Sequence, residues 1–316
     1  MRRLDAACLG ESMAQLVPAD GRSLRSAGSF ALTTAGAESN VAQGLALLGS
    51  TVAWVSLVGD DALGARVLDD VAAAGVDVSL TLRRDRNRTG FFLKDPAADG
   101  SRITYYRDGS AASHLSRADV DRAFAARPRH LHLSGVTPAL SVSCADAVGH
   151  ALAVAPELGV STSFDVNHRP VLWADPREAA LTLRGLARQA DVVFVGLDEA
   201  TALWGTTTPD QVRDLLPEPQ TLVVKDGAVD ATTFTADGRF TEPALPVQVV
   251  EPVGAGDAFA AGWLHAMLID LPHPARLRLG HLMAEAALTS LSDHVTTTRP
   301  PADLVREAAR ATAAGS

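Results

Sequence analysis

Short apolar runs rich in β-branched residues alternate along this chain with longer stretches rich in Ala and Leu. The clearest short runs are Val52–Val58, His130–Leu133, Val160–Asp165, Val192–Val195, Leu222–Lys225 and Val247–Val250. They are mostly apolar without in–out alternation, as strands covered on both faces require. Between them, Asn40–Leu48, Leu63–Ala74, Ser141–Ala153, Ala179–Ala187 and Ala258–Leu268 carry helical patterns. This alternation predicts βαβ units: an α/β fold with a mostly parallel central sheet and helices on both faces.

One region breaks the pattern. Gly90–Lys94 and Arg102–Arg107 predict two strands joined by the turn-rich stretch Asp95–Gly100, and Gly28–Thr34 reads as extended with no helix before it. These pieces predict a small antiparallel sheet inserted into the α/β body as a lid over its cleft, with insertions spanning 13–34 and 88–113. Ala308–Ser316 predicts the fraying end of a helix.

Composition narrows the possibilities. With 316 residues, 47% of them apolar and 21% charged, the chain can build one large core, and 1–316 is read as a single domain. A net charge of −9 argues against a broad nucleic-acid surface, although a few arginines in one cleft could still hold a small anion. Cys8 and Cys144 have neither a disulfide framework nor metal-ligand spacing around them and read as buried small residues. No apolar run approaches the roughly 18 residues of a membrane span. Asp5, Gly10 and Glu11 interrupt what would be the apolar part of a signal peptide. A soluble, cytoplasmic protein with no nucleic-acid or membrane partner is expected.

Ligands of open α/β sheets bind beyond the carboxyl ends of the strands. Four predicted strands end there in polar residues: Asp165-Val166-Asn167-His168-Arg169, Gly196-Leu197-Asp198-Glu199, Lys225-Asp226-Gly227 and Glu251-Pro252-Val253-Gly254-Ala255-Gly256-Asp257. In the last, Gly254-Ala255-Gly256 opens the apolar helix Ala258–Leu268, where unpaired N–H groups and the helix dipole favour an anion. Asp257 in the first turn is either a cap or a base. An anion hole beside a carboxylate suits phosphoryl transfer to a hydroxyl. No GxxxxGK[ST], GxGxxG on the first strand, HExxH or GxSxG is present. His130, His132 and His168 have no metal-ligand spacing, Trp173 reads as a packing anchor, and Tyr105 with Phe92 could equally be hairpin packing.

Two segments carry a resemblance. Ala35-Gly36-Ala37-Glu38-Ser39-Asn40-Val41-Ala42 and Pro252-Val253-Gly254-Ala255-Gly256-Asp257-Ala258-Phe259-Ala260-Ala261-Gly262 resemble the two signatures of the PfkB (ribokinase-like) carbohydrate kinases. Within that family, Leu9-Gly10-Glu11, Tyr105-Tyr106-Arg107-Asp108-Gly109-Ser110-Ala111 and Asp165-Val166-Asn167-His168-Arg169-Pro170 look most like the 2-keto-3-deoxygluconate kinases. The resemblance implies a ribokinase-like three-layer α/β/α body with a small β lid. It also implies Asp257 as the base, with Gly254, Ala255 and Gly256 at the anion hole. Gly36, Ala37, Glu38, Ser39 and Asn40 would hold the sugar, and Tyr105, Arg107, Arg169 and Asp293 would also meet substrate. On the nucleotide side it implies Asn167, Lys225, Gly227 and His281, with Glu199 linked to the metal. ATP and Mg2+ are the implied cofactors, and a monovalent cation is left open. Here the second signature opens with Glu251 where the family usually has Asp, and Phe92 stands at an expected tyrosine.

An arginine fork is the natural partner for the carboxylate of a sugar acid. The sequence therefore predicts a kinase acting on a sugar acid, with 2-keto-3-deoxygluconate as the candidate acceptor. The rivals are a kinase for a neutral sugar such as fructose or ribose, a non-catalytic sugar-binding protein of the same fold and, less favoured, a nucleoside kinase. The exposed edge of the lid sheet predicts a homo-oligomer.

Overall fold

The computed structural model describes residues 3–97, 100–290 and 297–311. Strands β1 (Ala6–Leu9), β2 (Met13–Pro18) and β3 (Phe30–Ala35) lead into the first helix, Ala37–Leu47. β4 (Val52–Val55) and β5 (Leu57–Gly59) precede the helix Ala62–Ala73, and β6 (Leu82–Arg84), β7 (Phe91–Ala97) and β8 (Gly100–Tyr106) follow it. The rest of the body alternates helices with β9 (His130–Ser134), β10 (Ser161–Asp165), β11 (Val192–Gly196) and β12 (Thr221–Asp226). The hairpin of β13 (Asp230–Thr235) and β14 (Gly238–Pro243) precedes the helices Ala255–Leu268, His273–Leu288 and Pro301–Ala311.

Eight strands form the main sheet in the order β14-β13-β12-β11-β10-β9-β1-β4. Pairings from β4 through β12 are parallel, and β13 and β14 extend the sheet in antiparallel fashion. Successive side chains face opposite sides, so Leu131, Leu133, Val193 and Val195 pack on one helical layer and Cys8, Trp54, Phe194 and Val223 on the other. Three layers result, with the parallel strands buried on both faces and the edge strand β14 largely exposed. No helix among the described residues is long and apolar enough to cross a membrane.

The second sheet has the order β3-β2-β7-β8. Its inner face carries Met13, Ala35 and Phe92, with Ile103 and Tyr105 packed against them. The expectation of an antiparallel lid needs correction: β2 and β7 are parallel, so the sheet is mixed. Their connection runs through the helix Ala62–Ala73, which provides the long crossover that parallel neighbours require.

A second correction concerns Val247–Val250, which forms no strand. Pro243 and Pro246 deny the ladder two N–H donors just upstream. The segment is tied instead to the end of the helix His273–Leu288, with the N–H groups of Val250 and Glu251 on the Leu288 carbonyl at 2.8 and 3.3 Å. The predicted strand Val52–Val58 also breaks, and its second half pairs with β6.

Candidate active site

Asp257 lies in the first turn of the helix Ala255–Leu268 and is 9% exposed. Gly254 caps that helix in the left-handed conformation at φ +85°, where a side chain would be strained. The first intrahelical bond runs from the Ala258 N–H to the Gly254 carbonyl at 2.9 Å. The N–H groups from Gly254 to Asp257 therefore have no acceptor within the helix, the Ala255 N–H alone reaching back to the Pro252 carbonyl at 3.4 Å, and the positive end of the helix dipole lies there. The loop enters from an irregular segment and not from a strand, yet it still builds a helix start of the kind that suits an anion.

Two asparagines converge on the Asp257 carboxylate. Asn40 Nδ2 donates to Oδ2 at 2.9 Å, and Asn167 Nδ2 approaches Oδ1 at 3.4 Å. Asn40 is on the first helix, whose turn closes through its own N–H on the Gly36 carbonyl at 2.7 Å. Asn167 follows β10 with φ +39°, a left-handed conformation uncommon outside glycine that fixes its side chain against Asp257. Burial pushes the Asp257 carboxyl up to about 7, with Asp165 adding to the rise while the Asn40 bond, Arg169 and Lys225 oppose it. A base poised near neutrality is suited to taking a proton from a hydroxyl. Asn40 Oδ1 is buried beside this carboxylate without a hydrogen-bond partner among the described residues.

Lys225, at the end of β12, donates to Asp165 Oδ2 at 2.9 Å. Burial draws its ammonium down, but Asp165 and Glu199 outweigh burial and hold it charged. A Cβ at Gly256 would stand 3.4 Å from the Lys225 Nζ, so this cation borders the anion-binding turn. Glu199 accepts the His168 N–H on Oε1 and the Gly196 N–H on Oε2, both at 2.9 Å, which makes it a helix cap. Burial raises its carboxyl above the usual range, and Asp165 adds to this. No group of three or more His, Cys, Asp or Glu side chains able to hold a metal occurs among the described residues.

Beneath the lid, Arg107 is 9% exposed and is held by Glu11, which is 2% exposed. Arg107 Nε and Nη2 lie 2.8 and 2.5 Å from Glu11 Oε2, while Ser110 Oγ donates to Oε1 at 2.5 Å. The guanidinium also lies 5.4 Å from the Tyr105 ring centre. Arg169 is the freer cation: its side chain is 46% exposed, and Nη1 is 3.8 Å from Glu199.

Beside Tyr105, Arg107, Arg169 and Glu199, the sequence-predicted residues fall into three groups. Asp257, Gly254, Ala255, Gly256, Asn40, Asn167 and Lys225 come together. Gly36, Ala37, Glu38 and Ser39 build the helix that carries Asn40, and three of them have evident packing duties. A Cβ on Gly36 would lie 2.3 Å from the Glu11 carbonyl oxygen, and Ser39 Oγ donates to Ser12 Oγ at 3.0 Å. Glu38 is fully buried, its carboxylate accepting from Ser134 and Thr137. His281 and Gly227 make the third: His281 is bound through Nε2 to the Glu242 carbonyl at 3.0 Å and meets the Phe259 ring of the Asp257 helix edge-on at 5.2 Å, and Gly227 occupies the exposed turn between β12 and β13, two residues after Lys225. Asp293 lies outside the described residues. Sequence reasoning assigned no role to Glu11, although it stood in the strand-end run Leu9-Gly10-Glu11.

Residues 3–298 match the pfkB family carbohydrate kinases. The chain is similar to the 2-dehydro-3-deoxygluconokinase of Bacillus subtilis (strain 168), 37% identical over 297 residues that cover 92% of this chain and 91% of the relative. It is similar to the crystal structure of a PfkB protein from Polaromonas sp. JS666, with a TM-score of 0.85, 38% identity and coverage of 92% and 98% of the two chains. The fold is also that of the 2-dehydro-3-deoxygluconokinase of Thermotoga maritima, with a TM-score of 0.87, 23% identity and coverage of 98% and 99%.

Proposed function

Because the chain belongs to the pfkB family of carbohydrate kinases, we propose that it transfers the γ-phosphoryl group of ATP to a primary hydroxyl of a sugar acid. The favoured acceptor is 2-keto-3-deoxygluconate and the product 2-keto-3-deoxy-6-phosphogluconate. The observation that carries the reading is Asp257, raised to about 7 and held by Asn40 at the start of the helix Ala255–Leu268.

In this reading Asp257 takes the acceptor's hydroxyl proton while that oxygen forms its bond to phosphorus. The bond from phosphorus to the ADP oxygen breaks in line, and ADP leaves with those electrons. The first-turn amides from Gly254 to Asp257 face the charge of the moving group, and Lys225 adds a positive charge beside them. Magnesium, when bound, neutralises phosphate oxygens. With no cage of side chains among the described residues, phosphates and water would supply most of its ligands. Asp165, whose Oδ1 is buried and unpartnered among the described residues, and Glu199 would be the chain's contributions.

Arg169 supports a sugar acid because its charge is incompletely matched at 3.8 Å from Glu199. A neutral-sugar kinase is the second reading, favoured by the pairing of Arg107 with Glu11, which cancels one of the two cations expected to meet a carboxylate. ADP release with MgATP across 2-keto-3-deoxygluconate, gluconate, fructose, ribose and adenosine separates the two. Preference for the keto-deoxy acid supports the first, and preference for fructose or ribose supports the second. Sugar-dependent thermal stabilisation with no ADP formed would identify a binding protein instead.

A further inference from the structure

Lys94 stands on β7 two residues after Phe92, so both side chains project from the same side of the strand, and each is 4% exposed. Phe92 closes the apolar inner face of the lid. Lys94 continues that face toward the body and forms an ion pair through Nζ with Glu251 Oε2. Glu251 precedes the anion-binding turn, and its other oxygen, Oε1, accepts the Val253 N–H at 3.1 Å. One carboxylate thus grips the lid with one oxygen and the loop before Gly254 with the other.

The two side chains of the pair are only 5% and 13% exposed. A buried pair of this kind adds little net stability over solvated charges, because desolvation offsets the attraction. What it does supply is selectivity among arrangements, since the Glu251 carboxylate left buried without this cation is strongly unfavourable. The pair therefore forms only when the lid is seated and the loop holds its present course together.

From this we infer that Lys94 is a positioning residue: through Glu251 it makes the seating of the lid and the shape of the anion-binding turn one coupled arrangement. The inference rests on the reading of that turn as the site for a nucleotide's terminal phosphate. Coupling is reciprocal, so a nucleotide on the turn steadies the lid, and a sugar under the lid steadies the turn.

Hydrogen exchange on the full chain, with and without a magnesium complex of a non-hydrolysable ATP analogue and no sugar, reads this directly. In the wild type the analogue should slow exchange at least severalfold both at residues 252–257 and in the lid strands β7 and β8. Lys94→Met and Glu251→Gln should keep the first protection and lose the second. Kinetically, each should lower kcat about tenfold, and the double variant should be no slower than the slower single. Lid protection that survives in both variants, or losses in kcat that multiply in the double, overturns the inference. A wild type protected at 252–257 but not in the lid overturns it alone. A wild type protected at neither overturns the kinase reading as well.

Discussion

Asn40 donates its side-chain amide to the Asp257 carboxylate at 2.9 Å, across 217 residues of sequence. The bond joins the first helix of the body to the helix that begins at Gly254, and it fixes the Asp257 carboxylate relative to the Asn40 carbonyl oxygen, which is buried without a partner among the described residues. An asparagine at 257 would keep an acceptor for Asn40 and lose the ability to take a proton. Asp257→Asn is expected to lower kcat about 10²–10⁴-fold, the usual worth of general-base catalysis, while sugar and nucleotide affinities stay within a few-fold. Steady-state rates and calorimetric titration of each ligand check this. Near-normal turnover would remove Asp257 from its role.

The same carboxyl sets a pH dependence. With its value raised to about 7, the base is protonated in the free enzyme below neutrality, so kcat/KM should fall tenfold per pH unit below that point. Between 3.8 and about 7 the folded chain retains a proton that the unfolded chain has released, so this group's contribution to stability declines as pH rises through that window. Asp257→Asn should therefore melt several degrees above the wild type at pH 8, with a smaller gap at pH 5. Melting curves at the two pH values test the sign, and an unchanged gap would contradict the burial of this charge.

How much of this was legible follows from what each feature needs. The central strands were readable because a strand covered on both faces is apolar along its length. Val247–Val250 has the same composition but follows two prolines, and its true place depends on a carbonyl of a later helix. The β13–β14 hairpin escaped notice because Asp230–Thr235 and Gly238–Pro243 each carry a single large apolar residue, Phe234 and Phe240, among polar neighbours. Asp257 and its glycines were visible because helix starts and left-handed turns leave local marks. Arg107 was visible as a cation, but its partner Glu11 lies 96 residues away, and burial of the pair is a property of the folded chain. Lys94 gave no signal, since a lysine on a hairpin strand ordinarily projects into water.

The two candidate arginines should behave differently when truncated. Arg107→Ala leaves Glu11 buried without its cation, a loss of about 3–5 kcal/mol. It should impair every acceptor and lower the melting temperature. Arg169 is half-exposed and only loosely paired, so Arg169→Ala should leave melting nearly unchanged. Its kcat/KM for a sugar acid is expected to fall at least tenfold while that for a neutral sugar holds. Equal losses on both acceptors would mean that Arg169 reads no carboxylate.

Gly36 offers a steric test of how closely the 11–12 segment and the Asp257 site are joined. Its φ of −174° is extended backbone open to any residue, so an alanine there meets no conformational penalty. The obstacle is contact: a Cβ would lie 2.3 Å from the Glu11 carbonyl oxygen and 2.7 Å from the Ser12 Cα, both of them backbone atoms. Relief requires the 11–12 segment to move away from the first helix. That segment bears the Glu11 side chain that holds Arg107 and leads directly into β2 of the lid, while the helix bears Asn40. Overpacking of this kind costs roughly 1–3 kcal/mol. Gly36→Ala should accordingly lower both melting temperature and kcat, the latter by more than tenfold, since displacing either partner misplaces the base or the lid. Gly149, inside the helix Val142–Val154, is the matched control, because a Cβ added there would meet no atom within 4 Å. Gly149→Ala should leave kcat alone and add about 0.5–1 kcal/mol of stability. A Gly36→Ala enzyme with wild-type turnover would show that the segment moves freely and that lid and base are not sterically linked.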